Sequence, residues 1–286
     1  WRIKTVRLGE KRMKTVAECC QYVEEHMTIK YATQNKAYRA GRSIEPKGCV
    51  NHSIGTAQPS AEVIFSLMNR PSAEWGVNAI LGDFDRGDGV ILLVMPLERR
   101  PWGCGSGAKG SWNNSRVQWE VCEPAGHTYA GGTMINYNVE KNARYFERMW
   151  KMLVAWNVYV AVKFGYGADA IADHSEAHKA GYGSNHSDMG HWLPKHGKSM
   201  DALRKEVRQI LNGEGEEEVT LDEFKRLYKE MMGEAKGDNP SPWAKESCEK
   251  AKAAGVFGGD GKGNYNWQDP ITREALASIL DRSKLT

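Results

Sequence analysis

The chain has 286 residues, 41% of them hydrophobic and 26% charged, and a formal net charge of +3. That length suits more than one small domain and fewer than three, and the composition is that of an ordinary core-forming protein. So small a charge argues against nucleic acid as a partner, which calls for a clustered basic face, and no run of about 18 apolar residues offers a membrane span.

Residues 1–14 are basic without an apolar stretch, so no signal peptide is expected there, and the missing initiator Met points to a trimmed chain. Residues 48–52 read as a short buried strand ending at His52. Residues 59–69 read as a helix, with Pro59 near its first turn and Ala61, Val63, Ile64, Leu67 and Met68 as apolar positions. Residues 77–82 and 90–95 flank Asp85-Arg86-Gly87-Asp88-Gly89, a hairpin signal, because glycine and aspartate supply the positive φ of a tight turn. Residues 117–122 form a further strand, residues 138–162 a long helix, and residues 171–174 a last short strand. Strands interleaved with helices predict an α/β domain, a mixed central sheet flanked by helices. No internal repeat is visible.

Proline and glycine punctuation divides the chain into residues 1–212, residues 213–238 (an acidic turn and a short amphipathic helix) and a compact helical unit, residues 239–286, opened by Pro240-Ser241-Pro242. The six cysteines, Cys19, Cys20, Cys49, Cys104, Cys122 and Cys248, form no CxxC pair. They read mainly as small buried apolar residues of a protein made in a reducing compartment.

Five of the eight histidines fall between residues 174 and 196. A catalytic zinc takes about three protein ligands and keeps one position for water. His52 at a strand end, with two ligands from the later Gly-rich segment, fits that need. Satisfied core histidines fit the same residues, and both readings stay open at this point. His174 and His178 share a helix face at i, i+4, but the zincin pattern needs Glu directly after the first His, and here the order is His-Ser-Glu-Ala-His. His174 and Glu176 begin a deaminase-like H-x-E, yet only Cys248 follows, so its cysteine pair is missing. Val117, Trp119 and Val121 alternate with Glu120, which leaves that carboxylate on the opposite face, free to meet a cleft.

Asn51-His52-Ser53, Arg100-Pro101-Trp102-Gly103-Cys104-Gly105, Gln118-Trp119-Glu120-Val121, His174-Ser175-Glu176 and His186-Ser187-Asp188 occur in that order. Together they resemble the type 2 N-acetylmuramoyl-L-alanine amidases, the superfamily of phage and prophage endolysin amidases and peptidoglycan recognition proteins, over about residues 15–212. The resemblance implies that superfamily's fold, zinc as cofactor and bacterial peptidoglycan as substrate. It implies His52, His174 and Asp188 as metal ligands and Glu120 as the acidic residue that handles the water proton. His186 stands where many members carry an oxyanion-stabilising lysine, and Trp102 and Asn113 are implied in substrate contact. Trp102-Gly103 departs from the Trp-His or His-Ala pair often found before the glycine. The same resemblance implies synthesis in the cytoplasm and action on the cell wall after release or export.

Pro242-Trp243-Ala244-Lys245-Glu246, Val256-Phe257-Gly258-Gly259-Asp260-Gly261 and Asp269-Pro270-Ile271-Thr272-Arg273-Glu274 resemble one S-layer homology module. Such modules bind secondary cell-wall polymers, usually as three copies, so a single copy also fits homo-oligomer assembly. Thr272 is expected to cap the second helix of the module. Three functions follow: an amidase, a non-catalytic peptidoglycan binder, and a zinc peptidase using His174, His178 and Glu176.

Overall fold

The computed structural model describes residues 13–214, 239–259, 262–265, 267–268 and 273–283. The chain divides into two compact units, Trp1–Glu216 and Glu217–Thr286. The amphipathic helix expected within residues 213–238, and Thr272 as a cap, lie outside the described residues.

The first unit opens with α1 (Val16–His26), which carries a start signal that hydrophobic periodicity overlooks. Thr15 Oγ1 accepts from the Glu18 N–H, and the Glu18 carboxylate accepts from the Thr15 N–H, a reciprocal cap. Then follow β1 (Met27–Ile29), α2 (Lys36–Ala40), β2 (Cys49–Ser53), α3 (Ala61–Met68), β3 (Ala79–Gly82), β4 (Val90–Leu93) and β5 (Val117–Val121). A small hairpin, β6 (Thr128–Ala130) and β7 (Thr133–Ile135), precedes α4 (Ala143–Phe164), β8 (Ile171–Asp173), α5 (His174–Ala180), α6 (Met189–Trp192) and α7 (Met200–Leu211).

Six strands form one mixed sheet in the order β1-β4-β3-β5-β2-β8. Only β3 and β4 run antiparallel, the expected hairpin, with Gly82 opposite Val90. Every other neighbouring pair is parallel. Parallel strands covered on both faces read as continuous apolar or small runs, and β2 is buried along its whole length.

Helix α4 fills one face. Its Trp156 packs edge-on against Trp119 of β5 at 5.9 Å. The helix starts at Ala143 rather than residue 138, because Asn138 Oδ1 accepts from the Lys141 N–H at 2.8 Å and turns the chain first. A buried amide tie pins β2 just before His52. Asn157 Nδ2 and Trp119 Nε1 both donate to Asn51 Oδ1, and Asn51 Nδ2 donates to the Ala172 carbonyl at 3.0 Å. Leaving such groups unpaired costs roughly 1–3 kcal/mol each. The other face carries α3, where Ala61, Ile64 and Met68 are buried as expected. Val63 and Leu67, the other two apolar positions of that helix, are exposed. All six cysteines are free, and Cys19, Cys49, Cys104 and Cys122 are buried.

The second unit holds helices Lys245–Ala253 and Arg273–Arg282. Tyr265 and Trp267 stack at 5.2 Å with rings 6° apart, and Phe257 lies 5.1 Å from Trp267. Among the described residues, no helix is long and apolar enough to cross a membrane.

Candidate metal centre and cleft

Strands β5, β2 and β8 are parallel neighbours, so their carboxyl ends emerge on one edge, where open α/β sheets bind ligands. The register pairs His52 with Glu120 and Asn51 with Asp173. His174, one residue beyond Asp173, therefore emerges beside His52. Asp173 fixes where β8 turns into α5: its Oδ1 accepts from the Glu176 N–H at 2.8 Å, and the Glu176 carboxylate accepts from the Asp173 N–H at 3.1 Å. Asp188 comes from the loop after α5 and sits at φ 39° and ψ −117°. That backbone is costly for a residue with a Cβ, on the order of 1–3 kcal/mol, and such strain gathers at functional sites.

The three side chains converge. His52 Nδ1 lies 3.6 Å from Asp188 Oδ1, and His174 Nδ1 lies 3.0 Å from Asp188 Oδ2. The imidazole rings stand edge to face at 4.9 Å. One ligand atom from each of His52, His174 and Asp188 lies within 4.8 Å of the other two, and all three residues are buried. Asp188 Oδ2 nonetheless has no aligned hydrogen-bond donor, and Glu120 Oε2 is a second buried oxygen without one. Two imidazole nitrogens and a carboxylate oxygen around one point, beside orphaned oxygens, fit a metal ion with a position left open.

The electrostatics agree. Burial alone would lower the His52 imidazole, but the nearby Asp188 carboxylate, with Glu120 behind it, pushes it up to about 9. Burial would raise Asp188, yet the two imidazoles hold its carboxyl well below the usual carboxylate range. Burial lowers His174. At Glu120 burial outweighs the opposing charge of His52 and, with Asp188 adding to it, pushes the carboxyl up to about 8. Asp188 is thus held ionised between two imidazoles, with Glu120 behind them.

The cluster opens into a cleft of about 1030 Å³. His52, Glu120, His174, His186 and Asp188 make one wall, and Ile54, Ile64, Leu67, Trp75 and Trp102 line it as well. His186 is exposed, with its ring stacked on His174 at 4.7 Å. Asn113, implied as a substrate contact, is instead buried and does not line the cleft. Its side chain is spent on Cys104, Gly105 and Gln118. His178 is exposed and its Nδ1 faces the Gly183 carbonyl at 3.3 Å, outside the metal cluster. Glu176 is held by Arg204. The zinc-peptidase arrangement of His174, His178 and Glu176 is therefore not formed: His178 lies outside the cluster and Glu176 is engaged by Arg204.

Sequence reasoning missed two groups. Gln118 Oε1 lies 2.9 Å from His52 Nε2, and Ser184 Oγ lies 3.1 Å from His174 Nε2. A buried Glu123 also gathers His127, Tyr129 and His191 at the cleft margin. The position of Gln118 two residues before Glu120, on the same strand face, was a usable signal for the first group. Nothing local in the sequence announces the Glu123 cluster.

No family model matches the chain, and no curated protein matches it. Among solved structures the chain is similar to the Staphylococcus aureus hydrolase AmiA in complex with its ligand, at 17% identity and a TM-score of 0.49, over 73% of this chain and 98% of that one. It is also similar to the catalytic domain of XlyA (12% identity, TM-score 0.46, 63% of this chain and 98% of that one). The PlyG catalytic domain gives 16% identity and a TM-score of 0.45, over 68% of this chain and 99% of that one. At such scores these likenesses say nothing about activity.

Proposed function

We propose that this chain is a zinc-dependent N-acetylmuramoyl-L-alanine amidase that hydrolyses the amide bond between muramic acid and L-alanine in bacterial peptidoglycan. The observation that carries the reading is the convergence of His52, His174 and Asp188, with Glu120 beside His52, on one open cleft. The ordered motifs that resemble type 2 amidases supply the bond and the polymer.

His52, His174 and Asp188 would hold the ion. Bound there, zinc would supply Lewis acidity towards water and the scissile carbonyl. Glu120 takes the proton of the attacking water and returns it to the departing alanine nitrogen. His186, on the cleft wall, faces the carbonyl oxygen as an N–H donor while charge builds there. Trp102 and Trp75 offer flat apolar surface for the substrate.

For the second unit we infer anchoring to a secondary cell-wall polymer. Trp243 is 88% exposed, and with Phe257, Tyr265 and Trp267 it lines a cleft of about 820 Å³ suited to stacking sugars. Truncation after residue 238 should spare activity on soluble muropeptide and weaken binding to whole walls. Unchanged wall binding favours assembly instead.

Digestion of purified sacculi by the zinc-loaded protein tests the main reading. New N-terminal alanine amines support it. New amines inside the stem peptide would mean a peptidase, and binding without any new ends would mean a wall-binding protein.

A further inference from the structure

The two ligand histidines need the same tautomer. Each must offer an Nδ1 lone pair towards Asp188 and so carry its proton on Nε2, since a neutral imidazole has one N–H. The bond made by the second nitrogen decides this, and such outer partners of metal-bound histidines tune affinity.

A chain of hydrogen bonds sets that choice at His52, and it starts from backbone. The Cys104 N–H can only donate, and it meets Asn113 Oδ1 at 3.1 Å. The Gly105 carbonyl can only accept, and it meets Asn113 Nδ2 at 3.3 Å. These two backbone groups fix which end of the Asn113 amide is which. Gln118 lies 2.8 Å from Asn113 Oδ1, so it must present its NH₂ there. Its Oε1 then faces His52 Nε2 at 2.9 Å and can only accept. The proton therefore sits on Nε2.

A second chain runs from the same residue to His174. The Cys104 carbonyl accepts from the Ser184 N–H at 2.9 Å and lies 3.4 Å from Ser184 Oγ. The hydroxyl proton goes to that carbonyl, which leaves the oxygen to accept from His174 Nε2 at 3.1 Å. Two glycines make room. A Cβ on Gly103 would lie 2.3 Å from Gln118 Oε1 and 3.2 Å from His52 Nε2. One on Gly105, at φ +63°, would lie 2.8 Å from Ser184 Oγ.

We propose that Asn113, Gln118 and Ser184 are positioning residues that transmit the backbone polarity of Cys104 and Gly105 to His52 and His174, holding both imidazoles with Nε2 protonated and Nδ1 free for the metal. This rests on the metal-centre reading and is independent of the substrate. Its consequence is that the segment around Trp102-Gly103-Cys104-Gly105 does two jobs, shaping the cleft and templating the ligands.

The test is zinc affinity of the full chain by chelator competition, with long-range proton–nitrogen NMR of the zinc-loaded protein. In wild type both Nε2 atoms should carry protons. Gln118→Met removes the acceptor and should weaken zinc binding about 10- to 100-fold. Gln118→Glu restores the acceptor for His52 but loses the N–H given to Asn113, so it should recover part of the loss, which a purely structural role would not predict. Asn113→Leu should weaken binding in the wild-type background and add little in Gln118→Met, because it acts through Gln118. Ser184→Ala at its partly exposed site should weaken binding through His174, and it serves should Gln118→Met not fold. A proton on either Nδ1, wild-type affinity in both Gln118→Met and Ser184→Ala, or independent losses from Asn113→Leu and Gln118→Met would overturn the relay. A wild-type chain that takes no zinc would instead overturn the metal-centre reading.

Discussion

His52 and Glu120 are register partners on adjacent parallel strands, so the proposed metal ligand and a carboxylate leave the same edge of the sheet side by side. Neighbouring strands lie about 4.8 Å apart, which keeps the carboxylate close to the proposed metal position without needing it as a ligand. Glu120→Gln keeps the shape and removes the base. It should retain zinc and lower kcat about 100- to 10,000-fold. Wild-type turnover in this variant would place the proton carrier elsewhere.

His52→Ala, His174→Ala and Asp188→Ala should each lower zinc content and abolish lysis. The readout independent of activity is thermal. Zinc at 100 times its Kd stabilises a binding chain by about 2.7 kcal/mol, so Tm should rise in wild type and stay flat in the three variants. Full zinc occupancy in all three would remove the ligand assignment.

His186 and His178 separate the amidase geometry from a zincin-like one. His186 stacks on His174 at the cleft, whereas His178 faces the Gly183 carbonyl. His186→Ala should keep zinc and lower kcat by about 100- to 1,000-fold. His178→Ala should be mild. Zinc loss in His178→Ala with normal turnover in His186→Ala would reverse these roles.

His196 predicts a stability effect at acid pH. Its ring stacks on Phe146 at 3.8 Å, and its Nε2 lies 2.7 Å from the Tyr137 hydroxyl, which itself accepts from Trp192 Nε1. Burial lowers its pKa to about 4. The unfolded chain binds this proton first, so stability is intact above about pH 6.5 and falls as pH drops towards 4. A partly exposed ring is screened, which limits the loss to about 1 kcal/mol, or roughly 2–4 °C in Tm. His196→Gln should be less stable at neutral pH but lose less between pH 6.5 and 4. An equal fall in both proteins would count against it.

The elements that carry the site were legible because their chemistry is local. The short stretches of β2 and β8, and the alternation of Val117, Trp119 and Val121 around Glu120, were readable as strands without knowledge of the fold. The hairpin β6–β7 was missed although Gly131-Gly132, both at positive φ, mark its turn. Asn113 was placed in the right neighbourhood with the wrong task. Its partners Cys104 and Gln118 are nine and five residues away, and only folding reveals that its amide faces inward. Glu123 and His191 are 68 residues apart, and no spacing rule joins such a pair.

The most direct measurement is hydrolysis of a defined muramoyl-peptide by the zinc-loaded protein in ¹⁸O-water, followed by mass analysis of both products. Water attack on the muramoyl carbonyl should place the ¹⁸O in the lactyl carboxylate of the sugar product and release a peptide with a free, unlabelled alanine amine. Label in a peptide carboxylate, label at a sugar reducing end, or an intact substrate beside fully zinc-loaded protein would contradict the assignment.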